Sequence, residues 1–396
     1  NELGANSLNS LVGAGAGNTI SLNSPASVIV GGCNNQVHSS CNVIVGGKSN
    51  QSCDNYTFVG GGLQNTSNNP LSSVVGGCLN VALSACSFVG GGCGNHASGS
   101  SSVVGGGRSN TASATYSTVS GGYNNTASGS SSTVSGGYNN CARGIQSAIG
   151  GGRQNQAPSS SATVSGGYRN CAQENFSTIG GGATNVALAA CSFVGGGCGN
   201  HASGSSSVVG GGRSNTASAT YSTVSGGYNN TASGSSSTVS GGYCNEADGA
   251  NSTVGGGMQN CAKATRSTIS GGYNSQACGN CSTIGGGTAN VASECSSTIA
   301  GGKDNTASAC YVSIGGGCGN TASNKYAAIG GGKSNTVSGY GSFLGSGNTN
   351  QVTNGYSVIG GGISNTLSGG YSVVVGGSTN CATANCVFIG GGSGNH

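Results

Sequence analysis

Nineteen cysteines in a 396-residue chain are the first residues to ask for chemistry: disulfides, a metal site or nucleophiles. Their spacing is patterned. Cys33, Cys78, Cys93, Cys198 and Cys318 share one position of a fifteen-residue frame; Cys41, Cys86, Cys191, Cys281 and Cys386 share a second; Cys141, Cys171, Cys261 and Cys381 share a third. Cys78 with Cys93, and Cys295 with Cys310, fall one period apart, so stacked periods would bring their Cα atoms within disulfide range. Cys33 with Cys41, Cys78 with Cys86, and Cys381 with Cys386 are further short-range candidates. The odd total leaves at least one thiol free or shared between chains. Zinc is the rival use. The C-x-x-C at Cys278 to Cys281 has no second pair and no histidine at ligating distance in sequence, so disulfides or plain small buried side chains are preferred, and no metal or cofactor is expected. Disulfides imply an oxidising, extracellular setting.

Other reactive groups offer less. His38, His96, His201 and His396 are the only histidines, and the seven carboxylates are scattered without a recurring pair suited to acid and base work. Triple glycine recurs too often to be a phosphate loop, and no Gly-Lys-Ser/Thr follows a helix-opening context. An enzyme is not expected. The net charge of +4 comes from thinly spread residues with no basic run, which leaves nucleic acid and anionic membranes without an electrostatic footprint. No apolar stretch approaches the ~20 residues of a membrane span. The absence of an initiator Met and of a signal peptide predicts a processed chain or the ordered part of a longer one.

The elements that position these residues follow from the frame itself. With Ser117 as position 1, fifteen-residue coils run without a gap from Ser27, about 25 of them on this count. Position 3 is Val or Ile except at Leu344, position 6 is always Gly, position 9 is Asn except at Ser275, and position 11 is small, mostly Ala. Residues 1–26 form an irregular start, with two extra residues in the second half of the coil beginning at Ser10; residues 27–396 form one continuous array. Cys86 to Tyr138 is identical to Cys191 to Tyr243, a shift of seven whole coils. A fold that accepts such a block in its middle is one whose units touch only their neighbours. The period is too short for helical repeats and fits an all-β parallel solenoid, a β-roll with two short strands and two tight turns per coil. Positions 1 to 5 alternate between faces, β-branched residues at position 3 pack inward, and both glycines at positions 5 and 6 turn a corner that excludes a Cβ. Asn110, Asn125, Asn140, Asn215 and Asn230 at position 9 predict an internal amide ladder; simple tolerance of turn geometry is the alternative. At ~4.8 Å per coil the array would be a rod of roughly 120 Å.

Position 2 would then face outward. It is Thr in many coils but Phe or Val in others, among them Phe58, Phe88, Val103, Phe193, Val208, Phe343, Val358 and Phe388. An exposed apolar stripe marks an interface, best satisfied by copies of the same chain. The pattern Ser-x-Val-x-Gly-Gly-x-x-Asn-x-Ala resembles the head repeats of trimeric autotransporter adhesins, and also the Gly-Gly and Asn-Thr-Ala-rich β-roll repeats of large-virus and phage fibre proteins. The resemblance spans nearly the whole chain and implies a left-handed, usually trimeric β-roll on a cell or virion surface. The double glycine, the Asn and the many cysteines depart from the bacterial heads.

Tyrosines recur at position 7 (Tyr123, Tyr138, Tyr168, Tyr228, Tyr243, Tyr273) and position 15 (Tyr311, Tyr326, Tyr356, Tyr371), and would stack between coils, for stability rather than as a glycan-binding surface. Among eight sequons, Asn55, Asn175 and Asn280 share position 14 and are the candidates for glycosylation, whereas Asn50 and Asn65 at position 9 should be buried. Three functions remain in play. A non-enzymatic extracellular fibre or spike that self-associates end to end or as a trimer comes first, since uncapped parallel edges at both ends of the chain invite another copy. An adhesin binding glycans or a cell-surface receptor is second, and an ice-binding protein using its stacked threonines is third.

Overall fold

The computed structural model describes residues 1–396, all β and without a helix. Two compact units, Asn1–Gly199 and Asn200–His396, are each a parallel β-solenoid. Every regular coil contributes two strands of two residues. In the coil from Ser117 these are Thr118–Val119 and Thr126–Ala127, paired in parallel with Thr133–Val134 and Cys141–Ala142 of the coil above. A single bridge residue at position 7, here Tyr123 with Tyr138, adds a third line of pairing. The strands are shorter than the alternation of positions 1 to 5 predicts, because the chain turns directly after position 3.

Inside lie positions 1, 3, 9 and 11: Ser117, Val119, Asn125 and Ala127 are all fully buried. Half of this interior is polar, and its composition is compensated locally. Where position 11 becomes serine, the next position 1 supplies a hydroxyl partner: Ser67 Oγ lies 2.7 Å from Ser72 Oγ, and Ser52 bonds Thr57 in the same way. Towards the other end Val337, Val352 and Leu367 fill the same place with hydrocarbon.

Turn geometry explains the glycines selectively. Gly122 at position 6 has φ +91°, and a Cβ there would sit 2.3 Å from the Gly137 carbonyl oxygen, so only glycine fits. Gly121 at position 5 faces open space. The expectation that both glycines are required therefore holds in every coil for the second, and for the first only in coils where its φ is positive, as at Gly136 (157°) and Gly151 (153°). Two further corners per coil were not foreseen: position 8 (Asn124, φ 54°) and position 15 (Ser131, φ 57°) are left-handed although not glycine. Their amides reverse direction. Most backbone N–H groups donate to the coil above, as Thr118 does to Ser132 (2.9 Å), whereas Asn124 donates down to Arg108 (3.0 Å) and Ser131 down to Thr115 (2.9 Å). Residues 1–26 follow the same plan at a spacing of seventeen, with Leu11 opposite Val28 and Thr19 opposite Gln36.

Each position 9 asparagine satisfies its whole amide. Asn125 Oδ1 accepts the backbone N–H of Asn140 (3.0 Å), and its Nδ2 donates to the carbonyls of Gly121 (3.0 Å) and Gly137 (2.9 Å). Ser275 breaks the column: its Oγ accepts from Asn290 N at 3.3 Å, but it has no counterpart of Nδ2. Ser275→Asn should therefore stabilise the protein by about 1–2 kcal/mol through two restored hydrogen bonds, read as a rise in urea midpoint. Gly122→Ala should cost at least about 1–3 kcal/mol from strain and overlap, while Gly121→Ala leaves the midpoint nearly unchanged.

Candidate functional site

With the interior committed to holding the coil, the outward positions 2, 7, 8, 10, 12 and 15 are where chemistry can be displayed. Position 2 is half-exposed along both units. In the first unit Leu11, Val28, Val43, Phe58, Ser73, Phe88 and Val103 follow one another in register, giving way to Thr118 and Thr133. In the second unit Val208 leads into a column of threonines from Thr223 to Thr298. Later, Phe343 (44 % exposed), Val358, Val373 and Phe388 restore the apolar row. Phe193 stands alone after Thr178 in the first unit. The stripe is thus blocks of phenylalanine and valine alternating with blocks of threonine.

The asparagines Asn110, Asn125, Asn140, Asn215 and Asn230 lie in buried columns, each Oδ1 2.9–3.0 Å from the next backbone N–H where the next position is Asn. Contacts between neighbouring amides are confined to places such as Asn365 Nδ2 to Asn350 Oδ1, 3.1 Å, because the backbone already takes up most of each amide's capacity.

All nineteen cysteines are free thiols, so none of the expected disulfides is present. Geometry accounts for several of these. Cys33 and Cys41, like Cys78 and Cys86, occupy position 7 between the two strands and position 15 beyond the second, on opposite sides of the coil. Cys381 is a strand residue and Cys386 lies in the left-handed corner. Cys78 and Cys93 do stack on adjacent rungs; desolvation, then the neighbouring thiol, pushes Cys78 above its ordinary pKa. Cys295 Sγ contacts Ser296 Oγ (3.6 Å), and Cys310 Sγ contacts Glu294 Oε2 (4.0 Å). Of the sequons, Asn55 is half-buried and its Oδ1 accepts from Ser39 and Ser40, Asn175 is exposed and accepts from Ser160 N (3.1 Å), and Asn280 is exposed. Asn50 and Asn65 are buried.

The aromatic columns are more elaborate than the tyrosine pattern predicts. At position 7, Tyr123 and Tyr138 stack at 5.4 Å, Arg108 lies over Tyr123, and Arg153 lies between Tyr138 (5.2 Å) and Tyr168 (5.7 Å). Arg213, Tyr228 and Tyr243 repeat the beginning of this in the second unit. The arginines share the tyrosines' coil position, a signal present in the sequence and overlooked, and guanidinium stacking on ring faces is favourable. The second column runs Tyr311, Tyr326, Tyr340, Tyr356, Tyr371. Tyr340 belongs to position 14 and covers the place where Gly341 leaves a gap, which is why a search at position 15 misses it.

Chemically the most distinctive cluster joins two coils. Glu246 and Asp248, at positions 10 and 12, face Cys261 at position 10 above; one ligand atom from each lies within 4.8 Å of the others, a set able to hold a cation. Cys261 Sγ is 3.5 Å from Glu246 Oε2 and 3.7 Å from Asp248 Oδ2. Cys261 is only 9 % exposed. Desolvation first, and the Asp248 and Glu246 charges after it, push its thiol up to about 12. Reading the three in coil frame, rather than by linear spacing, would have found them. His38 pairs with Ser21 (3.1 Å), and His96 and His201 sit exposed at strand position 10.

The class is therefore a parallel β-solenoid repeat protein with a hydrogen-bonded interior and outward columns of variable chemistry. Residues 117–129 and 222–234, two copies of STVSGGYNNTASG, match the ubiquitous surface protein adhesin repeat. No curated protein matches the chain.

At pH 8 a thiol with a pKa near 12 is roughly one part in ten thousand thiolate. Cys261 should stay unlabelled by iodoacetamide while exposed Cys86, Cys191 and Cys386 react. Glu246→Gln with Asp248→Asn lowers that pKa and should raise Cys261 labelling severalfold, read by peptide mass spectrometry.

Proposed function

We propose that this chain is a non-enzymatic, adhesin-like structural protein displayed at a cell surface or extracellularly. The observation that carries the reading is the adhesin-repeat match, which starts in register with a coil of the solenoid: residues 117–129 include both strands and the Gly122 corner of one coil. Each unit offers its neighbours long lateral faces while its conserved geometry is spent inside, which suits display rather than catalysis. The finer part of the proposal is self-association through the apolar blocks at position 2. Phe343, Val358, Val373 and Phe388 form an uncharged row, and a second copy of the same row is its simplest cover. This fits a fibre or spike better than an isolated module.

The threonine column from Thr223 to Thr298 favours one second reading, an ordered hydroxyl array that binds ice. Thermal hysteresis activity would establish it, and its absence at millimolar protein would dismiss it.

Sedimentation velocity tests association directly. The full chain should sediment as an oligomer at micromolar concentration, and Phe343→Thr with Phe388→Thr, which install the residue used at this position elsewhere, should weaken association at least tenfold with unchanged circular dichroism. A wild-type monomer at those concentrations would rule out self-association. Attachment of the labelled chain to cells or extracellular matrix tests the adhesin reading separately.

A further inference from the structure

The outward face of the second strand carries a groove of about 510 Å³ across four coils of the first unit. Its floor is the position 10 row, Thr126, Cys141, Gln156 and Cys171, held in parallel register. One wall is the left-handed position 8 column, Asn124, Asn139, Gln154 and Arg169. Arg143 at position 12 closes the other side. The lining is mainly polar, with Cys141 and Cys171 among it, and its two charged groups are both guanidinium.

Those guanidiniums are held at their inner nitrogen. Arg143 Nε donates to Cys141 Sγ at 3.1 Å, and Arg169 Nε donates to Gln154 Oε1 at 3.0 Å while its head lies over Tyr168 at 4.9 Å. Each anchor fixes the fork by its Nε and directs the terminal nitrogens, the part that grips carboxylate and sulfate in bidentate fashion, away from the wall. Neither arginine forms an ion pair; the structure's ion pair is Lys303 with Asp304. Between Asp54 and Glu174 the chain carries Arg108, Arg143, Arg153 and Arg169 and no acidic residue at all. The groove's own lining thus carries two positive charges and no negative one, and the nearest carboxylate in sequence, Glu174, lies three residues past Cys171.

We infer that this groove binds an acidic saccharide, its carboxylate or sulfate on Arg143 and Arg169 and its hydroxyls on the side-chain amides of Asn139, Gln154 and Gln156. The inference rests on the adhesin reading and deepens it by naming a ligand class. Amides both donate and accept, which suits hydroxyl groups, and the groove runs along the coil stack, so an extended chain of sugars follows its length. Single-stranded nucleic acid fits less well. It needs open aromatic faces for its bases, and the nearest rings, Tyr138 and Tyr168, are covered by Arg153 and Arg169.

Titration calorimetry on the full chain tests this with a heparin hexasaccharide and a hyaluronan hexasaccharide as the sulfated and carboxylated probes and a neutral dextran oligomer as control. At least one acidic probe should bind, with affinity falling as salt rises, and dextran should not. Arg143→Gln with Arg169→Gln should weaken binding tenfold or more without shifting the thermal melt. Arg266→Gln, the same kind of charge loss in the second unit, should leave it unchanged. Equal affinity in the double variant, an equal loss in Arg266→Gln, no binding of either acidic probe, or equally tight binding of oligothymidylate or polyglutamate at the groove would each overturn the assignment. Attachment to cells by a chain that ignores both acidic probes would discard the groove and keep the adhesin reading. Saccharide binding without any attachment would do the reverse.

Discussion

One buried amide per coil sets the conditions for everything else. The position 9 asparagine points into an interior too narrow for a hydrocarbon core, and there its oxygen and nitrogen reach the coil above and the corner of its own coil together. Asn125 illustrates this: it holds Gly121, Gly137 and Asn140 at once. Removing such a group would leave the Asn140 N–H and the Gly121 carbonyl unpaired, a cost of roughly 1–3 kcal/mol for each orphaned group, while the Gly137 carbonyl keeps the Tyr123 N–H. The amide also requires the carbonyl of position 6 close by, and that approach is what forbids a Cβ on Gly122. Asparagine and glycine are therefore two halves of one corner, and their sequence invariance has one cause.

The same economy makes the outside free. Because four inward positions and the backbone ladders hold each coil, the outward columns can change identity every few coils without altering the path of the chain. Position 2 shifts from apolar to threonine and back, position 7 alternates tyrosine with arginine, and position 10 carries Thr126, Cys141, Gln156 and Cys171 in four successive coils. A patch on such a surface is a run of neighbouring coils with compatible substituents. The arginine and amide groove, the Glu246, Asp248 and Cys261 cluster and the phenylalanine blocks are all of this kind.

What could be read from the residues follows the same division. The period, the inward Val or Ile, Ala and Asn, and the glycine of position 6 were legible because each is nearly invariant and has one steric or hydrogen-bonding reason. The outward face of position 2 followed from strand alternation. The left-handed corners at positions 8 and 15 were not legible. They accept Asn124, Arg169, Ser131, Tyr116 and Cys86 alike, so no residue type marks them. The cysteines are all free; recurrence at a coil position does place Cys78 and Cys93 on adjacent rungs, but it says nothing about which side of the coil positions 7 and 15 occupy. Tyr340 and the acidic pair beside Cys261 needed three-dimensional neighbours, which linear spacing conceals.

The tolerance of those corners has its own physical account. A left-handed residue other than glycine costs on the order of 1–2 kcal/mol, and a fold that spends this twice in nearly every coil must recover it locally. The recovery is the reversed amide. Asn124 and Ser131 turn their N–H groups down the stack while the rest of the coil donates upward, so each corner adds a bond to the coil beneath that a right-handed residue would miss. Every coil is thereby tied in both directions by its own backbone. This explains why side chains as different as arginine and tyrosine can occupy a corner: the conformation is held by the amide, and the side chain only has to reach solvent. Such a residue is then displayed at a fixed angle on a rigid hinge of backbone, as Arg169 is at the wall of its groove.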